Sequence, residues 1–169
     1  KKKLLGELFP FPDKIMAIGR LDHDSEGLLL LTTDGMKSFQ VRDKGIEKEY
    51  YVQVDGKITE DAIYKLQNGV EISVNGSIYL TLPSKAFVLE NEPELPPRGF
   101  KIRDARHGPT SWISITICEG KNRQIRKMTA AVGFPTLRLV RVRIGDIHLD
   151  RMNVGEVVIL PDFNDALNC

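Results

Sequence analysis

Three stretches of this chain keep the two-residue rhythm of a β-strand. They are KEYYVQVD (Lys48–Asp55), SWISITI (111–117) and TLRLVRVRIG (136–145), the last with one doubled step at Val140. Each such ribbon must bury one of its faces, so the chain is committed to a sheet. Tyr50, Val52 and Val54 fall on one face of the first ribbon. Shorter strand candidates at 70–73, 77–82 and 85–90 are separated by Asn-Gly and Pro-Ser turns. The apolar run LLLLTT (28–33), set between glycines, suits a buried strand, and EVVIL (156–160) reads as a last one.

Helices interrupt these strands without alternating regularly with them. In ITEDAIYKLQNGV (58–70), Thr59 is placed to cap a helix, acids fill its first turn, Ile63 and Leu66 form its apolar stripe, and Gly69 stops it. NRQIRKMTAAV (122–132) gives a second helix with Ile125, Met128 and Val132 inward and Gly133 at its end. Asp34 caps a short helix over GMKSFQV. The proline-rich NEPELPPRG (91–99) cannot continue a sheet interior. The pattern predicts an α+β fold with a mixed, mostly antiparallel sheet flanked by short helices. No repeat and no βαβ phosphate-binding fingerprint is present. At 169 residues, one domain or two closely packed halves is expected.

No apolar run approaches the roughly 18 residues of a membrane helix, and the basic start is not followed by a long apolar segment. Cys118 and Cys169 form no C-x-x-C pair. Cys118, in step with apolar neighbours, reads as a small core residue, and a reducing cytoplasm is the expected compartment. Net charge is +1, but it is unevenly spread. Residues 98–151 hold 12 basic and 4 acidic side chains, whereas 1–97 hold 12 and 16, and 152–169 hold three acids and no Lys or Arg. A basic block in a near-neutral chain fits a polyanion-binding face or, more plainly, a solvated surface.

The segment GRLDHDSEGLLLLTTDG (19–35) admits several readings. Asp22, Asp24, Glu26 and Gly27 match the first positions of a calcium loop, but Thr33 stands where its bidentate Glu belongs. The same acids suit a two-metal nuclease, with Arg20 competing for their charge. His23, His107 and His148 have no zinc spacing. If RLD is extended, Arg20 and Asp22 share a face with Leu21 turned inward. A carboxylate held by guanidinium is oriented and charged, as a nucleophile must be, although an ion pair at a turn has the same appearance.

In EGKNRQIRKM (119–128), Arg123 and Arg126 lie three apart and share a side of the helix, with Lys121 and Lys127 nearby. This is either a basic surface helix or one that aims guanidinium at carboxylate and phosphate. PPRGFKIRDARHGPTSW (96–112) interleaves Arg98, Lys101, Arg103, Arg106 and His107 with Phe100 and Trp112, which suits an RNA-contact loop or a solvated one. Tyr50 is either a sheet-packing ring or a platform for an unstacked base.

Taken together, these stretches resemble the RsuA-type pseudouridine synthases. GRLDHDSEGLLLLTTDG resembles the family's first motif, KEYYVQV its second and EGKNRQIRKMTAAVGFPTLRLVR its third, in the same order, and the likeness runs from about residue 17 to 160. YYVQVDG, PTSWISITICEG and VGFPTLRLVR look most like members acting on large-subunit ribosomal RNA. The resemblance implies a pseudouridine synthase fold, two subdomains around a central cleft. It implies Asp22 as catalytic aspartate with Arg20 beside it, Tyr50 as the motif tyrosine preceded by Lys48, and Arg126 as the arginine that pairs with Asp22. It also implies one catalytic domain over 1–169 without an S4-like domain. The family's earlier strand and NKP turn have no counterpart, so the first subdomain is expected to be incomplete at its start.

The reaction so implied turns a uridine within ribosomal RNA into pseudouridine, after flipping the base into a pocket. Lys48, Arg98, Lys101, Arg103, Arg106, His107, Lys121, Arg123 and Lys127 would hold RNA, and Tyr50 would stack on the detached uracil. Asp22 would attack C1′ or assist loss of the 2′ proton. No cofactor and no metal are expected, and the protein is expected to act as a monomer. A non-catalytic RNA-binding protein of ribosome assembly on the same fold is the alternative.

Overall fold

The computed structural model describes residues 3–43, 45–161 and 167, except the side chains of 40, 42 and 43. In chain order the elements are β1 (Met16–Ala17), β2 (Glu26–Gly27), β3 (Leu31–Thr32), α1 (Gly35–Asp43), β4 (Lys48–Asp55), α2 (Glu60–Asn68), β5 (Glu71–Val74), β6 (Ser77–Leu80), β7 (Lys85–Val88), β8 (Thr110–Ile117), α3 (Gln124–Ala131), β9 (Thr136–Ile144) and β10 (Ile147–His148). The main sheet runs β10-β9-β4-β8-β7, and β2 joins β9 as its single parallel strand. The pairs β1–β3 and β5–β6 stand apart from it. This is the mixed, mostly antiparallel α+β architecture that the alternating ribbons predict.

The three ribbons become β4, β8 and β9, packed side by side at the sheet centre. Val52 lies opposite Ile113 and Leu139, and Tyr50 opposite Ile115 and Arg141. Cross-strand partners share a face, so these side chains form one surface. That surface carries the main core, where Val52, Val54, Ile113 and Ile115 pack with Leu66 of α2 and Ile125 and Met128 of α3. Thr59 caps α2 by accepting from the Ala62 amide at 3.2 Å. Asp34 Oδ1 caps α1 by accepting from the Met36 and Lys37 amides at 2.9 and 3.3 Å.

A second apolar cluster gathers Ile18, Leu28, Leu30, Ile46, Ile144 and Leu167. It attaches the first motif to the edge of β9. Among the described residues, no helix is long and apolar enough to cross a membrane.

Four sequence expectations change. LLLLTT is not one strand: β2 ends at Gly27, β3 begins at Leu31, and Leu28 and Leu30 fill the second cluster between them. At Gly27 the two backbones approach so closely that a Cβ would lie 2.2 Å from the Arg141 carbonyl oxygen. The irregularities in β9 fall at Val142 and Leu137 rather than Val140, because Glu49 pairs with Arg143 and Tyr50 with Arg141, and Gln53 pairs with Arg138 and Val54 with Thr136. The shift at Val142 places Arg141 on the core side and Arg143 on the other. EVVIL forms no strand, and Val158 and Ile159 are exposed. Cys118 follows the end of β8 and is exposed, so it is not a core residue. Cys169 lies outside the described residues.

Candidate active site

The acidic turn of the first motif is held against β9 and α3 by arginines from distant parts of the chain. Gly19, at φ 71, redirects the backbone out of β1, and the Ser25 amide closes a turn onto the Asp22 carbonyl at 2.9 Å. Parallel pairing of Glu26–Gly27 with Val140–Arg141 then fixes the end of the turn. Arg141, 6% exposed, donates Nε and Nη2 to the Leu28 carbonyl at 2.8 and 2.6 Å and reaches the Arg20 carbonyl at 3.5 Å. Glu26 accepts a two-pronged bond from Arg138 at 3.0 and 3.0 Å and lies 3.6 Å from Arg98 Nε.

Asp22 and Asp24 face the start of α3. The loop before that helix is secured by Glu119, which accepts from the Tyr79 hydroxyl, from the Leu82 amide at 2.9 Å and from Gln124 Nε2 at 2.6 Å. Its carboxylate also raises the Tyr79 hydroxyl pKa. Arg123, just ahead of the helix, has φ 52, a left-handed backbone that a side chain rarely adopts. Its guanidinium reaches the acidic turn of the first motif. Nη1 and Nη2 donate to the two Asp24 oxygens at 2.9 and 2.8 Å, and Nη1 stands 3.8 Å from Asp22 Oδ2. One turn on, Arg126 donates Nη2 to the Asp24 carbonyl at 2.7 Å, with Nε 3.5 Å from Asp24 Oδ2.

The Asp22 side chain is 24% exposed and that of Arg126 14%. The hydrogen bond from Arg123 holds the Asp24 carboxyl at about 2, against an ordinary 3.8. Burial pushes the Arg126 guanidinium down, against the raising charge of Asp24, with Asp22 a lesser contributor. Its buried Nε makes no hydrogen bond.

These distances revise the pairing expected from the sequence. Arg126 lies in the same cluster as Asp22 but sits on Asp24, while Arg123, expected only to meet RNA, is the guanidinium nearest Asp22. Residues 20–22 lie outside any strand, so Arg20 and Asp22 do not share a strand face. Arg20 is exposed and, among the described residues, makes no ion pair. Tyr50 is half-buried against the main core, on the same face as Arg141. The acids read as calcium or nuclease ligands are taken up by guanidinium groups, Asp24 by Arg123 and Glu26 by Arg138.

The other predicted RNA contacts divide into two kinds. Arg98 donates to the Leu137 carbonyl at 3.1 Å, Arg103 pairs with Asp55, and Lys127 donates to the Ser73 carbonyl at 2.7 Å, so these three brace the fold. Lys48 reaches the Cys118 carbonyl at 3.4 Å. Lys101, Arg106 and His107 cluster on Asp104 with their side chains 80, 86 and 58% exposed, and the exposed Lys121 lies over the Tyr79 ring at 4.9 Å. Trp112 is buried, whereas Phe100 is exposed beside Arg98. Arg138 and Arg141, the clamps on the turn, were visible in the sequence only as polar steps of a strand.

The RNA pseudouridylate synthase family model matches residues 2–131, and the chain belongs to that family. Ribosomal large subunit pseudouridine synthase E of Vibrio parahaemolyticus serotype O3:K6 is 45% identical over 158 residues, covering 92% of this chain and 63% of that protein. Its namesake in Xanthomonas axonopodis pv. citri is 44% identical over 153 residues, covering 89% and 78%. Synthase B of Yersinia pestis is 33% identical over 138 residues, covering 80% and 37%. The likeness to the E proteins is thus stronger than to this B protein, and the chain spans less than two thirds of the Vibrio relative. A solved pseudouridylate synthase matches with a TM-score of 0.68 at 29% identity, covering 86% of this chain and 56% of its own. Human RNA pseudouridylate synthase domain containing 1, 19% identical with a TM-score of 0.50 and covering 78% and 55%, shares the fold.

Proposed function

We propose that this chain isomerises a uridine of large-subunit ribosomal RNA to pseudouridine, with Asp22 as the reacting carboxylate. The observation that carries the reading is Asp22 itself: partly buried, in the first motif, with a guanidinium 3.8 Å away and no hydrogen bond spent on its carboxylate oxygens among the described residues. Family membership and the named relatives support the reaction class and the substrate.

In the reaction the N1–C1′ bond breaks, the uracil turns, C5 bonds to C1′, and the C5 proton is lost as N1 gains one. Asp22 acts on the sugar, by attack at C1′ or by removing the 2′ proton. Arg123 and Arg126 offset negative charge as the uracil detaches. Tyr50 offers a ring face to the loosened base. The target must be flipped out of its stack at a cost of about a few kcal/mol, which contacts to flanking phosphates offset. Lys101, Arg106 and Lys121 are the exposed cations for that task, with the His107 ring beside them.

Atoms only rearrange, so the chemistry requires neither cofactor nor metal. The chain works as one catalytic unit and as a monomer, in the cytoplasm where ribosomal RNA is made. Tritium release from C5-labelled uridine in large-subunit rRNA tests the reading. Release that scales with enzyme and is indifferent to EDTA is expected. Tight RNA binding without release would instead make this an assembly factor.

A further inference from the structure

We propose that the Phe100 ring is a stacking platform for an RNA base close to the flipped uridine. This rests on the reading of the chain as an rRNA-modifying synthase centred on Asp22. Flipping a target leaves its neighbours short of a stacking partner, and an exposed aromatic face supplies one whatever the base.

A single exposed ring is ordinary on a protein surface, so what matters is how this one is held. Phe100 is 62% exposed and directly follows the proline-rich segment. That segment is tied to β9 at two points. The Pro96 carbonyl accepts from Arg138 Nη2 at 2.7 Å, and Arg98 Nη1 donates to the Leu137 carbonyl at 3.1 Å. The Arg98 guanidinium lies over the Phe100 ring, 5.4 Å from its centroid. The ring is therefore seated on a side chain only 14% exposed, and little freedom is left to lose when a base arrives.

Its place in the fold fits the role. Arg98 Nε lies 3.6 Å from Glu26 Oε2, and Glu26 is four residues from Asp22, a span that chain geometry limits to about 14 Å. Burial is the main cause pushing the Arg126 guanidinium down, and the charge of Arg98 adds to it, so Arg98 stands near that arginine as well. The ring is thus at the rim of the cleft, within a few nucleotides of a uridine on Asp22. Lys101 and Arg106, 80 and 86% exposed, put cations for the adjoining phosphates on the same loop. These charges favour a polyanion over an apolar protein surface as the occupant.

The test is equilibrium binding and turnover of protein-free large-subunit rRNA by the full chain. Phe100→Ala should raise Kd and KM roughly 5- to 100-fold, the loss expected for one base–aromatic stack, while kcat falls less than about threefold. The dependence of log affinity on log salt should keep its slope, because no phosphate contact is removed. Phe100→Tyr, which keeps a π face, should stay within about threefold of wild type, whereas Phe100→Leu, apolar without one, should resemble Phe100→Ala. Melting temperatures should match wild type. A merely structural ring would lower them and leave the affinity of the folded protein alone. Wild-type affinity in Phe100→Ala or in Phe100→Leu overturns the proposal, as does a Phe100→Tyr variant as weak as Phe100→Ala. A wild type that binds rRNA but releases no tritium sinks the parent reading instead, and the affinity series still decides whether Phe100 holds a base.

Discussion

The two ends of the acidic turn hold carboxylates four residues apart and treat them in opposite ways. Glu26 is saturated: Arg138 grips it at 3.0 and 3.0 Å, Arg98 adds its charge at 3.6 Å, and both guanidinium groups are nearly buried, at 12 and 14% exposure. Asp22 has one guanidinium at 3.8 Å and is otherwise open. Asp24 stands between them and takes the arginines of α3. A saturated carboxylate fixes a backbone, and an unsaturated one in the same turn is available for chemistry. Charge alone does not separate them, because all three acids sit among arginines.

The contrast can be broken from either end. Glu26→Gln should have the largest effect on stability, because it strands two nearly buried cations. A loss of about 2–3 kcal/mol is expected, below the figure for a fully buried pair because Glu26 itself is 27% exposed. Chemical denaturation measures it, and a loss below about 0.5 kcal/mol would place Glu26 with surface pairs.

Asp24 should show its effect through pH. Its folded carboxyl lies at about 2, below the ordinary 3.8, so the stability it contributes is complete above that ordinary value and is lost as pH falls from 3.8 towards 2. The gap in denaturation midpoint between wild type and Asp24→Asn should therefore be constant above about pH 5 and close in acid. A gap that widened in acid would contradict the assignment.

The smallest effect belongs to the exposed cations. Lys101→Ala and Arg106→Ala should each weaken rRNA binding a few-fold and lower the salt slope by about one, with the melting temperature unchanged. An unchanged slope would remove these side chains from the RNA face.

Much of this fold could be read from local pattern. The limits of β4 follow from its alternation, and the Thr59 cap marks the start of α2. Features set by distant approach could not be read this way. LLLLTT has strand composition, yet only Leu31–Thr32 of it pairs as a strand, while Leu28 and Leu30 pack in a cluster with Ile144, more than a hundred residues later. The motifs bring Asp22 and Arg126 into one cluster, but which acid each arginine takes goes with the left-handed backbone at Arg123, which the sequence does not mark. From sequence, the basic block 98–151 suits a polyanion-binding face or a solvated surface. Much of its charge is spent internally by Arg98, Arg103, Arg138, Arg141 and Arg143, because the sheet brings them to carboxylates and carbonyls from the first third of the chain.

Turnover and RNA affinity of Asp22→Asn, measured side by side, test the assignment of Asp22 most directly. The account predicts tritium release reduced more than about 1,000-fold, with rRNA affinity within about threefold of wild type. Release at the wild-type rate from the asparagine variant would contradict it.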